Sequence, residues 1–296
     1  MDNLESLDAS LFASAPAINT PIVLTIAGSD SGGGAGIQAD IKAISATGSY
    51  ACSVITALTA QNTTGVSAVL GIDQDFITAQ LDAVFTDIPI DVVKIGMLAD
   101  AATISTVARA LNKYPTKQLV LDPVMVATSG DLLLEKTAIS TLINELFPLA
   151  TVVTPNIPEA LALLQMPPLT SPLNDRQIAD LCQQLLGLGC QSVLLKGGHQ
   201  TGHHSTDFWL SPRQQKSYTA PRTATKNTHG TGCTLSSAIA SFLARGQPLT
   251  EAIGNAKDYI SEAIAHADQL HIGAGSGPVH HFYNPLSTPC VTADKK

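Results

Sequence analysis

Short runs rich in Val, Ile and Leu recur along the chain, and each is followed by a longer stretch whose apolar residues have helical spacing. A run that is apolar at successive positions, not alternate ones, suits a strand buried on both faces, and a mostly parallel sheet covered by helices provides that burial. The runs that qualify are 22–27, 52–58, 92–95, 119–121, 151–154 and 192–196. Helices are predicted over 36–46, 75–85, 101–114, 137–147, 158–164 and 175–188, then over 232–245 and 250–268 with no strand between the last two. No Pro/Gly/Ser linker, composition shift or internal repeat divides the chain. The expectation is one doubly wound α/β domain over 21–284, with a flexible N-terminal extension at 1–20 and a tail at 285–296.

Composition narrows the function classes. Hydrophobic residues make up 45% of the 296 positions and charged residues 14%, which supplies one large core and excludes a disordered composition. A net charge of −8, with no local Lys/Arg cluster, argues against a nucleic-acid partner. Five cysteines, an odd number without a Cys-x-x-Cys pair, argue against a disulfide framework or zinc knuckle and fit a reducing cytosol. The first twenty residues carry Asp2, Glu5 and Asp8 and lack the basic start and apolar stretch of an export signal. No uncharged apolar segment reaches the roughly 18 residues of a membrane helix. A soluble, cytoplasmic protein with no membrane partner is expected.

Ligands in such a sheet bind at the carboxyl ends of the strands. The loop after the first run reads Gly28-Ser29-Asp30-Ser31-Gly32-Gly33-Gly34-Ala35-Gly36. It is neither a dinucleotide fingerprint nor a Walker A loop, and ligand cradle and ordinary turn are equally good readings of it. The segment Lys226-Asn227-Thr228-His229-Gly230-Thr231-Gly232-Cys233-Thr234 leads into a small, apolar helix. Gly230 and Gly232 would leave N–H groups uncovered at its N-terminus, a site for a transferring phosphoryl group. Cys233, in the first turn, is expected to have a lowered thiol pKa and to accept a proton; the alternative is a glycine cap with a buried small cysteine. Asn156-Ile157-Pro158-Glu159 has the spacing of a capping box. His199, His203 and His204 cluster in a turn without an Asp or Cys to complete a metal site. Residues 126–133, with Ser129-Gly130-Asp131, read equally as a flap or a plain loop. His280 and His281 acquire no role.

Gly-Thr-Gly-Cys before a helix, the earlier Asn156-Ile157-Pro158-Glu159 and the Gly-rich first loop together resemble the ribokinase-like superfamily of small-molecule kinases. More narrowly, the stretch from Ala27 to Asp40, Thr56-Ala57-Leu58-Thr59-Ala60-Gln61-Asn62-Thr63, Lys94-Ile95-Gly96-Met97-Leu98, Leu121-Asp122-Pro123-Val124-Met125 and Gly277-Pro278-Val279-His280-His281 resemble the hydroxymethylpyrimidine/phosphomethylpyrimidine kinases of thiamin biosynthesis. The resemblance runs in order from about Ile22 to about Tyr283; it departs at Gly33, where the family more often has Ser.

The resemblance implies a three-layer α/β/α fold and ATP-dependent phosphorylation of 4-amino-5-hydroxymethyl-2-methylpyrimidine, then of its monophosphate. It implies that Gly230, Thr231 and Gly232 hold the transferring group, with Cys233 where the wider superfamily usually has an Asp base. Gly28, Asp40, Gln61 and Met97 would form the substrate pocket, Gln61 pairing its amide with an aminopyrimidine edge; taken alone, Gln61 reads equally as a solvated strand end and Met97 as adaptable core filler. Asn156 and Thr228 would serve the nucleotide and Glu159 would stand near Mg2+, acting through water; Asp122 and Lys196 end predicted strands, where either could reach nucleotide phosphates or Mg2+, and plain strand-end polarity is nearly as good a reading of Lys196. A homodimer is implied, and there is room for a monovalent cation beside ATP and Mg2+. A vitamin B6 kinase is the neighbouring reading; a non-catalytic thiamin-precursor binding protein is a third, disfavoured by retention of Cys233, its flanking glycines, Asn156 and Glu159.

Overall fold

Alternation of side chains along each strand decides where the layers form. The computed structural model describes residues 20–125, 138–169, 171–198 and 202–284. Within them β1 (Ile22–Asp30) is buried along almost its whole length. It lies between β2 (Tyr50–Asn62) and β4 (Val92–Ile95), both parallel to it, while β3 (Gly65–Gly71) runs antiparallel on the outer side of β2. The sheet continues in parallel through β5 (Gln118–Leu121), β6 (Val152–Val153) and β7 (Val193–Leu195), then antiparallel through β8 (His204–Leu210) and β9 (Gln215–Pro221). Its order is β3-β2-β1-β4-β5-β6-β7-β8-β9.

Leu24, Ile26, Ile95 and Leu121 face one side of the sheet and Val23, Val92, Val120 and Leu194 the other. The first side is covered by α2 (Gln74–Asp87), α3 (Ala101–Lys113), α4 (Ala138–Glu145), α5 (Ile157–Leu163) and α6 (Asp175–Leu186) through Ile77, Ile104, Leu142, Ala160 and Leu181. The second is covered by α1 (Gly36–Ala46), α7 (Thr231–Ala244) and α8 (Leu249–Ala265) through Ile44, Leu235 and Ile253. The result is the expected three-layer α/β/α architecture.

The buried parallel strands and all eight predicted helices are present, α1 and β4 with the predicted bounds and the others with shifted ends. Sequence reading missed β3, β8 and β9. These are outer antiparallel strands with one wet face, as in His204-Ser205-Thr206-Asp207, and they lack the all-apolar signature used to find the others. His204, read as part of a turn, opens β8; His199 lies outside the described residues, as do residues 126–133, 1–19 and 285–296. β1 and β2 also run past their predicted ends to Asp30 and Asn62, carrying polar residues to the carboxyl edge of the sheet. No helix among the described residues is long and apolar enough to cross a membrane.

Candidate active site

Two glycine-bearing segments interlock at the carboxyl edge. The Asp30 carboxylate accepts hydrogen bonds from the N–H groups of Gly32 (2.8 Å), Gly34 (3.0 Å) and Ala35 (2.8 Å), folding the loop after β1 around itself. Gly230, at φ +79°, packs on that loop so closely that a Cβ there would lie 1.8 Å from the Gly34 carbonyl oxygen. His229 joins the two segments, with Nε2 2.8 Å from Asp30 Oδ2.

Gly230 caps α7 without a side-chain hydrogen bond. The Thr231 N–H is bonded to the Thr228 carbonyl, and that of Thr234 to Gly230, so the first-turn amides of Gly232 and Cys233 are the ones without an intrahelical acceptor. Gly230, Thr231, Gly232, Cys233 and Thr228 all line a cavity of about 630 Å³. A Cβ on Gly232 would lie 3.3 Å from Lys196 Nζ and 3.6 Å from Asp122 Oδ2, which puts a cation beside the helix terminus.

The environment of Cys233 corrects one expectation. Its thiol is pushed up to about 11, not lowered: burial dominates, Asp40 and Asp122 add to it, and Lys94 with the Gly36 N–H only partly offset them. Near neutral pH the group is a thiol. The helix N-terminus alone does not outweigh desolvation beside two carboxylates.

Those carboxylates are tied to lysines. Lys94, fully buried within β4, holds both Asp40 oxygens at 2.8 Å, and Asp40 also accepts from Thr25 Oγ1 (2.6 Å) and Ser237 Oγ (2.7 Å). Burial works against the Lys94 charge, but Asp40, Cys233 and Asp122 outweigh it and raise its pKa. Asp40 is itself absent from the cavity wall whereas Lys94 lines it, so Asp40 sits one layer below its expected place. Sequence reading missed Lys94, although a lysine in the buried strand Val92-Val93-Lys94-Ile95 is itself a signal.

Lys196 Nζ lies 2.7 Å from Asp122 Oδ1 and 3.8 Å from Glu159 Oε2. Burial raises Asp122, but Lys196, Lys94 and the Thr154 hydroxyl reverse this and hold its carboxyl below the usual range. Glu159 is pushed up to about 7 by burial and by Asp122, against the pull of Lys196. The capping box is present: Asn156 Oδ1 accepts from the Glu159 N–H and Glu159 Oε2 from the Asn156 N–H, each at 2.8 Å.

Asp122, Asn156, Glu159 and Lys196 line the cavity together. The Asp122 and Glu159 carboxylates would suit magnesium held through water, since Lys196 already occupies Asp122 Oδ1. No group of three or more His, Cys, Asp or Glu among the described residues is arranged to hold a metal directly.

Gly28, Gln61 and Met97 line the same cavity. A Cβ on Gly28 would lie 2.4 Å from Met97 Cε, so the glycine lets the thioether lie across the strand end. A further part is apolar, lined by Ala220, Pro221, Ile260 and Ile264, with the Lys257–Asp207 ion pair (2.9 Å) beside them. Sequence reading singled out none of these, because they come from the half-wet strands β8 and β9 and from α8.

A parallel sheet opening on a glycine-capped helix N-terminus, with a lysine and two carboxylates beside it, defines a small-molecule kinase of the ribokinase-like class. The family described as Phosphomethylpyrimidine kinase matches residues 30–280, and the chain belongs to it. The hydroxymethylpyrimidine/phosphomethylpyrimidine kinase of Escherichia coli (strain K12) is 49% identical over 260 residues, covering 88% of this chain and 97% of that one. A crystal structure of phosphomethylpyrimidine kinase from Clostridium difficile is 46% identical with a TM-score of 0.72, covering 82% of this chain and 99% of that one. The ADP complex of Bacillus subtilis pyridoxal kinase is 33% identical with a TM-score of 0.81, covering 88% and 97%.

Proposed function

We propose that the chain transfers the γ-phosphoryl group of ATP to the hydroxyl of 4-amino-5-hydroxymethyl-2-methylpyrimidine and then to the phosphate of the product, for thiamin biosynthesis. The observation that carries this reading is the position of Cys233, the Gly232 amide and Lys196, on the wall of one cavity shared with Gly28, Gln61 and Met97. Phosphoryl transfer needs mostly positioning and charge stabilisation. The Gly232 and Cys233 amides and the Lys196 ammonium would neutralise charge on the transferring group. Cys233, through its thiolate fraction, would take the proton of the alcohol. Gln61 would read the heteroaromatic edge while Met97 packs on the ring, and the apolar end near Ile260 and Ile264 would receive the adenine. Asp122 and Glu159 would hold magnesium through water, which would supply further charge neutralisation at the phosphates. Asn156 and Thr228 would border those phosphates.

The likeness to pyridoxal kinase favours a second reading, phosphorylation of a vitamin B6 alcohol in the same cavity. A coupled assay of ADP release with each alcohol separates the two, and release with neither overturns both. The chain is further proposed to act as a homodimer. Leu58 and Leu70, opposite each other across β2 and β3 and exposed at 42% and 65%, would be covered in it.

A further inference from the structure

The hydrogen-bond network around Gln61 determines which way its amide must point. Asp30 is almost fully buried, with three loop N–H groups directed at its carboxylate. Burial opposes its charge, but the His229 bond and the loop amides outweigh it and hold the carboxyl below its usual range. An ionised carboxylate 2.8 Å from His229 Nε2 requires a proton on that nitrogen. Gln61 Nε2 is placed 3.3 Å from that nitrogen, which sets donor against donor; turning the amide over removes the clash and lets its carbonyl oxygen share the proton that His229 gives to Asp30.

The other end of the amide agrees. Gln61 Oε1 is placed 3.1 Å from Thr59 Oγ1, which is also 2.9 Å from the Ser29 carbonyl; the one hydroxyl proton can serve only one of these acceptors, and the shorter bond takes it. The hydroxyl therefore has lone pairs, not a proton, for Gln61, and an NH2 satisfies them. The Gln61 backbone is fixed as well: its N–H donates to Ser31 Oγ, and Ser31 Oγ donates to its carbonyl, both at 2.8 Å. With its oxygen turned to the His229 proton, which it shares with Asp30, and one N–H turned to Thr59, the amide retains an N–H donor.

We propose that His229, oriented by Asp30, is a positioning residue that sets the polarity of the Gln61 amide, so that the cavity selects heteroaromatic alcohols presenting an unprotonated ring nitrogen. A freely turning amide would accept donor and acceptor edges alike. This inference rests on the reading of the cavity as an aminopyrimidine site.

The test compares kcat/KM for the aminopyrimidine alcohol with that for each of the two analogues in which one ring nitrogen is replaced by C–H. Wild type should discriminate at least about tenfold against one analogue, because the Gln61 donor is left without its acceptor. In His229→Leu the discrimination should collapse to within about threefold, and in His229→Gln, which restores an N–H near the position of Nε2, it should return. A loss of packing alone would lower both substrates equally and leave the ratio unchanged. Thr59→Val removes the partner at the other end of the amide and should also collapse the ratio, so the test survives if His229→Leu does not fold. Wild-type discrimination against neither analogue, or an unchanged ratio in either folded variant, overturns the inference. Failure of wild type to phosphorylate the parent pyrimidine overturns the functional reading instead.

Discussion

At the scale of the residue, the proposed reaction turns on Cys233, and its raised thiol changes what catalysis should look like. The first transfer must remove a proton from a neutral alcohol; in the second, the acceptor phosphate oxygen is already ionised. Cys233→Ala should therefore slow the alcohol step by about 10²- to 10⁴-fold and the phosphate step far less, measured as separate single-turnover rates. With the thiol at about 11, its thiolate fraction grows as pH rises toward that value. The alcohol step should accelerate by up to about tenfold per pH unit from pH 7 to 9, and Cys233→Asp, ionised throughout, should keep part of that step with a flat profile. Equal loss of both steps in Cys233→Ala would assign the thiol to packing. Cys233, Asn156, Glu159, Gln61 and Met97 were legible as residues because short motifs name them. The protonation of Cys233 was not, because the burial and the neighbouring Asp40 and Asp122 come from segments far away in the chain.

At the scale of the element, α7 would act in the proposed reaction through its first turn. Gly230→Ala would demand a left-handed backbone of an L residue and drive a methyl into the Gly34 carbonyl, so the turn must move. Displacing the amides should cost about 10²- to 10³-fold in kcat. A melting curve should show the strain as a lowered Tm; wild-type kcat and Tm together would mean that the two segments need not touch. The helix start was readable from Gly230 and Gly232, and the α5 start from its Asn-x-x-Glu spacing, because caps are local chemistry. The strands β8 and β9 were not readable, because their pairing with β7 is what makes strands of Thr- and Ser-bearing segments. With them went the apolar end of the cavity.

At the scale of the whole molecule, one buried ion pair ties the layers together beneath the site. Lys94 comes from β4, Asp40 from α1, Thr25 from β1 and Ser237 from α7. Lys94→Met leaves a buried carboxylate unpaired and should destabilise the fold by about 3–5 kcal/mol, whereas Lys94→Met with Asp40→Leu should recover most of it in denaturant unfolding. Additive losses would mean that the two side chains act independently. The exposed Leu58–Leu70 pair belongs to the same scale: Leu70→Lys should convert a dimer into a monomer in light scattering, and a wild-type monomer at micromolar concentration would remove the proposed interface. By itself the sequence determined the layered α/β architecture, the helix starts and the motifs of the site, because buried-strand composition, helical periodicity and capping are properties of neighbouring residues. Only the tertiary structure decided that Asp40 faces Lys94 below the cavity, that Cys233 carries its proton and that His229 bridges Asp30 and Gln61. Those outcomes depend on desolvation and on hydrogen bonds between residues as much as 199 positions apart, which come into contact only when the sheet and its two helical layers have closed.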